Sequence, residues 1–263
     1  MYKIAISDLD GTLLGPDHRI SAKTKKTIHR WVKSGRKFVI ATGRHYIEAK
    51  HLQESLNIPI YLITSNGARI HNKEGEMIHQ QNLPNDIAQG ICDTEFADAV
   101  QINLFTDQNW YANYPLAELD DMGLDAGFDC IKADLSKVDK SNTIKIFFYA
   151  QAELLKSVYE LLSARYGDKI NLTFSLPKCL EVMCANTNKG EAVKVVLKSK
   201  NLETADAIAF GDGMNDIEML LAVAKPVIMA NAQDALKDAL PNVEKTLSSK
   251  EHGVAVTMDR YLA

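Results

Sequence analysis

Short apolar runs of strand length recur along the chain, each closing on polar residues and glycine, with amphipathic stretches between them. The first is Ile4-Ala5-Ile6 with Ser7, which runs into Asp8-Leu9-Asp10 and breaks at Gly11 and Gly15-Pro16. Ser21 is placed to cap a helix through Ala22, Thr27, Ile28, Trp31 and Val32 that stops at Ser34-Gly35. Lys37 to Ala41 reads as a buried strand, Tyr46 to Leu56 as a helix and Ile60 to Ile63 as a third strand. A strand–helix–strand unit of this kind makes neighbouring strands parallel, with a right-handed crossover. Ala68 to His71 and Met77 to Gln80, on either side of Asn72 to Gly75, read as a hairpin attached to that core.

From about Leu83 strands no longer alternate simply with helices. Asp86 to Phe96 reads as a helix, and Ala99 to Thr106 with Trp110 to Asn113 as a hairpin turning at Asp107-Gln108-Asn109. Pro115 to Asp139 is weakly patterned. Thr143 to Tyr149 is a strand, Gln151 to Tyr166 a helix ending at Gly167, and Ile170 to Ser175 and Cys179 to Cys184 are two more strands. Alternation returns with a helix from Asn188-Lys189-Gly190, the strand Ala207 to Phe210, a helix opened by Gly211 to Asp216 and reaching Ala224, and Pro226 to Met229 as a last core strand before helices out to Leu262. The expected organisation is a discontinuous core, residues 1–82 and 186–263, with residues 83–185 inserted as an α+β module large enough to hold a core of its own.

Composition narrows the function more than the fold. A length of 263 residues suits one core plus a smaller module, and 46% hydrophobic with 24% charged residues is ordinary for a globular protein. A net charge of −4 offers no basic footprint for nucleic acid, so an anionic substrate must be drawn by a local positive site. No basic-then-apolar leader opens the chain, and no apolar run approaches the roughly 20 residues of a membrane span; a cytoplasmic protein without a membrane partner is expected. The four cysteines form no Cys-x-x-Cys pair, which argues against zinc or redox chemistry and for reduced core residues. Oligomeric state leaves no mark in the sequence, and a monomer is the starting expectation.

The candidate chemistry lies where apolar runs stop. In open parallel sheets ligands bind outside the carboxyl ends of the strands. Asp8 and Asp10, two apart, leave the same face if the chain is still extended there, close enough to share one cation, and Mg²⁺ suits such a pair. Alone, Asp-x-Asp-Gly reads better as the start of a turn. Three further clusters shift the balance: Thr42 to Arg44, Asn188 to Gly190 and Gly211 to Asp216. Asp212 supplies a third carboxylate that completes a Mg²⁺ site with Asp8 and the main-chain carbonyl of Asp10. Lys189 is a cation set against the helix dipole, which a bound anion would explain, while Thr42 and the Gly43 N–H add donors. Metal, lysine and donors make a phosphate pocket.

The ordered set Ser7-Asp8-Leu9-Asp10-Gly11-Thr12-Leu13-Leu14, Ala41-Thr42-Gly43-Arg44, Ser65-Asn66-Gly67-Ala68, Asn188-Lys189-Gly190 and Gly211-Asp212-Gly213-Met214-Asn215-Asp216 resembles the haloacid dehalogenase-like phosphatases, specifically the Cof type of subclass IIB. The resemblance spans essentially the whole chain. It implies an α/β fold with a Rossmann-like three-layer core, a mainly parallel sheet and an inserted α+β cap of C2B type. It also implies that Asp8 is the nucleophile forming an aspartyl phosphate, and that Asp10 is the acid for the leaving alkoxide and later the base for water. Leu9 (through its backbone), Thr42, Gly43 and Lys189 would hold the transferred oxygens, and Asn215 would bind phosphate or steady the pocket. Asp8, Asp10 and Asp212 would hold Mg²⁺, with Asp216 supporting the acidic loop. The implied activity is Mg²⁺-dependent hydrolysis of small phosphorylated metabolites, sugar phosphates or pyridoxal 5′-phosphate. A phosphosugar mutase and a non-catalytic phosphometabolite-binding protein are the alternatives.

Two departures from the family pattern, Met229-Ala230-Asn231-Ala232 and Glu251-His252-Gly253, bear on the cleft rim rather than on the nucleophile or metal site. Arg44 reads as structural, Asn66 as shaping a turn with Gly67, and Glu181 as a carboxylate that either faces a cleft or is paired or solvated. His45, His71 and His79 show no ligand spacing.

Overall fold

The computed structural model describes residues 1–114, 128–176 and 178–262. In chain order the first elements are β1 (Ile4–Ser7), α1 (Ala22–Lys33), β2 (Lys37–Ala41), α2 (Tyr46–Ser55), β3 (Tyr61–Thr64), β4 (Arg69–His71) and β5 (Met77–Gln80). The middle of the chain adds α3 (Asn85–Cys92), β6 (Gln101–Phe105), β7 (Trp110–Ala112), β8 (Cys130–Lys132), β9 (Lys145–Tyr149), α4 (Ala152–Tyr166), β10 (Ile170–Leu176) and β11 (Cys179–Cys184). The last part contributes α5 (Lys189–Ser199), β12 (Ala207–Gly211), α6 (Ile217–Leu221), β13 (Lys225–Ile228), α7 (Asp234–Ala239), β14 (Glu244–Lys245) and α8 (Gly253–Arg260). Two compact units result: Met1–His45, Ala49–Gln80 and Asn188–Ala263 form the first, Tyr46–Glu48 and Gln81–Thr187 the second.

The first unit is built on an eight-stranded sheet in the order β14-β13-β12-β1-β2-β3-β4-β5. Its strands are parallel from β14 to β3, and the hairpin β4–β5 is antiparallel. Strand alternation sends Ile4, Ile6, Val39, Ala41 and Ile63 to one face, where Val193, Val196 and Leu197 of α5, Met219 and Leu220 of α6 and Leu236 of α7 pack on them. The intervening residues Ala5, Phe38, Ile40, Leu62, Ile208 and Phe210 are also buried, and α1 pairs with α8. Burial on both faces explains why these strands read as unbroken apolar runs. The α1 end forms as its sequence dictates: Ser21 Oγ accepts from the Thr24 N–H at 3.1 Å, and Trp31, wholly buried, donates through Nε1 to the Lys37 carbonyl at 2.9 Å.

Two expectations for this unit need correction. Pro226 to Met229 is not the last strand of the sheet, because Glu244-Lys245 pairs in parallel with Val227-Ile228. A two-residue charged strand carries no periodic signal; only its neighbour in space defines it. The helix after Asp216 is also shorter than Ala224: a 3₁₀ turn over Met214–Asp216 leads into α6, which stops at Leu221 so that the chain can turn into β13.

The second unit is a six-stranded sheet ordered β10-β11-β9-β6-β7-β8, antiparallel except for β7–β8. Ile87 and Ile91 of α3 and Leu155, Val158 and Leu162 of α4 pack against Ile102, Leu104, Ile146, Phe148, Leu180 and Val182 on one sheet face. The alternate residues Phe105, Trp110, Phe147 and Cys179 form a separate cluster on the other. There Lys145 and Glu181 meet at 2.9 Å, nearly buried, so Glu181 is a paired carboxylate. The helix expected from Asp86 to Phe96 stops at Cys92, and β8 was not legible in the weak stretch, of which residues 115–127 lie outside the described residues. All four cysteines are free; Cys179 is buried, Cys92 and Cys130 pack half-buried against the two apolar clusters of this unit, and Cys184 is half-buried. Among the described residues no helix is long and apolar enough to cross a membrane.

Candidate active site

The parallel strands β1, β2 and β12 end at Ser7, Ala41 and Gly211, and three of the four polar clusters of the sequence leave from these ends, while Asn188 to Gly190 opens α5. Beyond Ser7 the chain does not stay extended. Leu9–Leu13 forms one wide turn closed by the Leu14 N–H on the Leu9 carbonyl at 2.9 Å, with Gly11 at φ +76°. That turn separates the two acids expected to share a face: Asp8 is directed inward with a side chain 8% exposed, whereas the Asp10 side chain is 46% exposed. Arg44 grips Asp10 with two bonds, Nε to Oδ2 at 2.8 Å and Nη2 to Oδ1 at 2.6 Å. Gly11 is required for space as well as for its left-handed backbone, since a Cβ there would lie 2.2 Å from Oδ2 of Asp212.

Asp8, Asp212 and Asp216 converge, each offering a carboxylate oxygen within 4.8 Å of the others. Lys189, the first residue of α5 and completely buried, donates to Oδ1 of Asp8 at 2.6 Å and Oδ1 of Asp216 at 2.7 Å. The other Asp216 oxygen accepts from the N–H groups of Asp212 and Gly213 at 2.9 and 3.0 Å. Thr12 donates to Oδ1 of Asp212 at 2.7 Å. Asn188 caps α5 by accepting from the Glu191 N–H at 2.8 Å, which fixes the point from which Lys189 reaches inward.

Three carboxylates facing one ammonium leave a formal excess of two negative charges, while Asp10 is neutralised by Arg44. Burial, reinforced by the Asp216 carboxylate, raises the Asp8 carboxyl well above its ordinary range against the pull of Lys189. Burial likewise pushes Asp212 up to about 6, with the Thr12 hydrogen bond opposing. Burial alone would lower the Lys189 ammonium, but the Asp216 and Asp8 carboxylates outweigh it and hold that pKa above its ordinary value. A divalent cation bound by hard oxygens fits both the charge excess and the donor set, and Mg²⁺ needs only one or two carboxylates besides water and phosphate.

Thr42, Gly43 and Asn215 belong to a second arc. Thr42 is buried; its N–H donates to the Ile63 carbonyl at 2.9 Å and its Oγ1 accepts from the Arg44 N–H at 3.1 Å. Asn215 donates through Nδ2 to Oδ1 of Asn66 at 3.0 Å. Leu9 is buried at the head of the Asp8 turn. Every site residue named from the sequence therefore lies in the loops beyond β1, β2 and β12 or at the start of α5.

A family model described as haloacid dehalogenase-like hydrolase matches residues 5–258. The chain belongs to the haloacid dehalogenase-like hydrolases. An HMP-PP phosphatase of Escherichia coli K12 is 35% identical over 243 residues, covering 92% of this chain and 89% of that protein. A haloacid dehalogenase-like hydrolase from Bacteroides thetaiotaomicron superposes with a TM-score of 0.87 at 26% identity, covering 99% of this chain and 100% of the other. A sugar phosphatase of HAD subclass IIB shares the fold, with a TM-score of 0.83 at 22% identity and 98% coverage of each chain. The Cof-type assignment, the α/β fold and the phosphatase class expected from the sequence agree with these relatives.

In this haloacid dehalogenase-like hydrolase three side chains take parts that sequence reasoning did not give them. Arg44 holds Asp10, Asn66 meets Asn215, and Asn231 donates from Nδ2 to the Gly11 carbonyl at 2.7 Å while its Oδ1 accepts from the Ser249 N–H at 2.9 Å. The signal for each was position: all three stand in or beside motifs after strands, yet their partners are distant in sequence.

Proposed function

We propose that the chain is a Mg²⁺-dependent phosphatase that hydrolyses small phosphorylated metabolites through an aspartyl phosphate on Asp8. The observation that supports this most is the buried Asp8–Lys189–Asp216 chain beside Asp212, a charge arrangement costly to assemble unless a cation and an anion use it. Lys189 holds Asp8 in one rotamer, and Asp216 holds Lys189 through a carboxylate fixed by two backbone N–H groups. Asp8 attacks phosphorus, the bond to the leaving oxygen breaks, and Asp10, protonated and freed from its ion pair with Arg44, gives that oxygen its proton. Asp10 then takes a proton from the water that attacks the phosphoenzyme, releasing phosphate and restoring Asp8. Lys189, Thr42, Gly43 and the Leu9 backbone hold the transferred oxygens, with Asn215 at the same pocket.

Asp8, Asp212 and the main-chain carbonyl of Asp10 would hold Mg²⁺, with Asp216 supporting the loop that carries Asp212. The ion, when bound, neutralises charge on the phosphoryl oxygens. The inserted module, residues 83–185, is proposed as the cap that discriminates among substrates. Sugar phosphates and pyridoxal 5′-phosphate stand as candidates, joined by HMP-PP, the compound in the name of the E. coli relative. A panel of these compounds assayed for phosphate release with Mg²⁺ and with EDTA tests the reading: release from at least one, abolished by EDTA, is the expected result. No release from any compound overturns it, and an isomerised sugar phosphate in place of free phosphate would identify a mutase.

A further inference from the structure

The turn after β3 is built in a way that stability does not explain. Ser65, Asn66 and Gly67 follow one another with φ of +48°, +50° and +103°. Two consecutive non-glycine residues in the left-handed region are unfavourable, the more so for Ser, whereas Asn tolerates it. The hydroxyls of Thr64 and Ser65 are buried without a hydrogen-bond partner among the described residues, a further cost of the same turn. Strain and unsatisfied groups concentrated in one short segment are a mark of function when the surroundings hold the segment in place.

The surroundings are the phosphate loops themselves. The Ser65 N–H donates to the Arg44 carbonyl at 2.8 Å, and the Asn66 N–H to the Thr42 carbonyl at 3.0 Å. Oδ1 of Asn66 accepts from Asn215 and lies against Gly43, where an added Cβ would be 3.1 Å away. Gly67 lies so close to the start of α5 that a Cβ would come within 2.4 Å of the Asn188 carbonyl. One three-residue turn therefore touches the Thr42 loop, the helix start that carries Lys189, and the Asn215 loop, segments far apart in the chain.

We infer that Asn66 is a positioning residue for phosphate binding: its left-handed backbone docks the turn on the Thr42 loop so that its carboxamide can hold the Asn215 side chain toward the phosphoryl site. This rests on the phosphatase reading above. Asn66 itself need not touch substrate. If the residue served only to adopt its φ, glycine would replace it without loss, since glycine enters that region freely.

The test is a cycle of Asn66→Gly, Asn215→Ala and the double variant, with thermal melting, p-nitrophenyl phosphate turnover and inhibition by inorganic phosphate, all with Mg²⁺. Asn66→Gly should melt at or above the wild-type temperature while KM and the phosphate Ki rise about tenfold and kcat changes little, the size set by one lost hydrogen bond and the pattern by lost ground-state binding. The double variant should be no weaker than Asn215→Ala alone. Wild-type KM and Ki in Asn66→Gly, or additive losses in the double variant, would overturn the inference while leaving the phosphatase reading intact. Wild-type protein that binds inorganic phosphate without hydrolysing ester would overturn the phosphatase reading, and dissociation constants for inorganic phosphate, measured by titration calorimetry on the same variants, would still decide the role of Asn66: a wild-type Kd in Asn66→Gly overturns it and a rise of about tenfold supports it.

Discussion

At the scale of single residues, Asp8 and Lys189 have opposite accounts. Asp8 carries a charge that burial and Asp216 resist, so replacing it with a neutral isostere removes an unfavourable group. Asp8→Asn should lose turnover by a factor on the order of 10⁴ or more, measured by phosphate release, while the melting temperature at neutral pH holds or rises. Among the described residues Lys189 is the only cation the cluster's carboxylates are bonded to, and it is wholly inside. Lys189→Ala leaves two buried carboxylates uncompensated and should cost about 3–5 kcal/mol in urea unfolding. These two outcomes together separate a group kept for chemistry from one kept for both chemistry and folding. The identities of Asp8, Lys189 and Asp212 were legible from residue type and spacing; the bond from Arg44 to Asp10 was not, because an arginine beside a turn carries no record of the carboxylate it will meet.

At the scale of elements, the turn Ser65–Gly67 is the most informative segment. Two neighbouring positions with the same backbone sign should respond in opposite directions. Ser65→Gly relieves a left-handed non-glycine residue and removes an unpartnered hydroxyl, and should stabilise by about 1 kcal/mol. Gly67→Ala places a methyl 2.4 Å from the Asn188 carbonyl and should destabilise by roughly 2 kcal/mol or more, both read from denaturant midpoints. The strands β1, β2, β3 and β12 were readable because burial on both faces leaves an uninterrupted apolar run. Helix α1 was readable from Ser21 and its apolar spacing. The short strands β8 and β14 were not, since two or three residues of mixed polarity become a strand only when a neighbouring strand supplies their hydrogen bonds.

At the scale of the whole molecule, the acidic cluster ties stability to pH. Asp212 titrates at about 6 against an ordinary 3.8, and Asp8 is raised too, so folding favours their protonated forms. A raised carboxyl contributes stability that is complete below its unfolded value and is lost as pH climbs through its folded one; for Asp212 that window runs from about 4 to about 6. Metal-free protein should therefore lose stability from this group across that window. In the proposed function Mg²⁺ would compete with the protons for the ionised cluster, so the rise in melting temperature on adding it should be larger at pH 7.5 than at pH 5. An equal shift at both pH values, seen by scanning calorimetry with EDTA and with Mg²⁺, would remove the cluster from the metal site.

The sequence by itself determined that polar clusters end successive buried strands, that an α+β segment interrupts that succession, and that carboxylates, a lysine and hydroxyl donors stand in the clusters. Local patterning suffices for this, because strand burial and helix capping are written within a few neighbouring residues. Only the tertiary structure decided that Asp10 turns out to Arg44 while Asp216 joins Asp8 and Asp212, and that Asn66 reaches Asn215. Those partnerships depend on backbone turns at Gly11 and Ser65–Gly67 and on parallel strands that bring residues 200 positions apart, such as Thr12 and Asp212, to 2.7 Å. Contacts of that range are set by packing, which has no local signature in the chain.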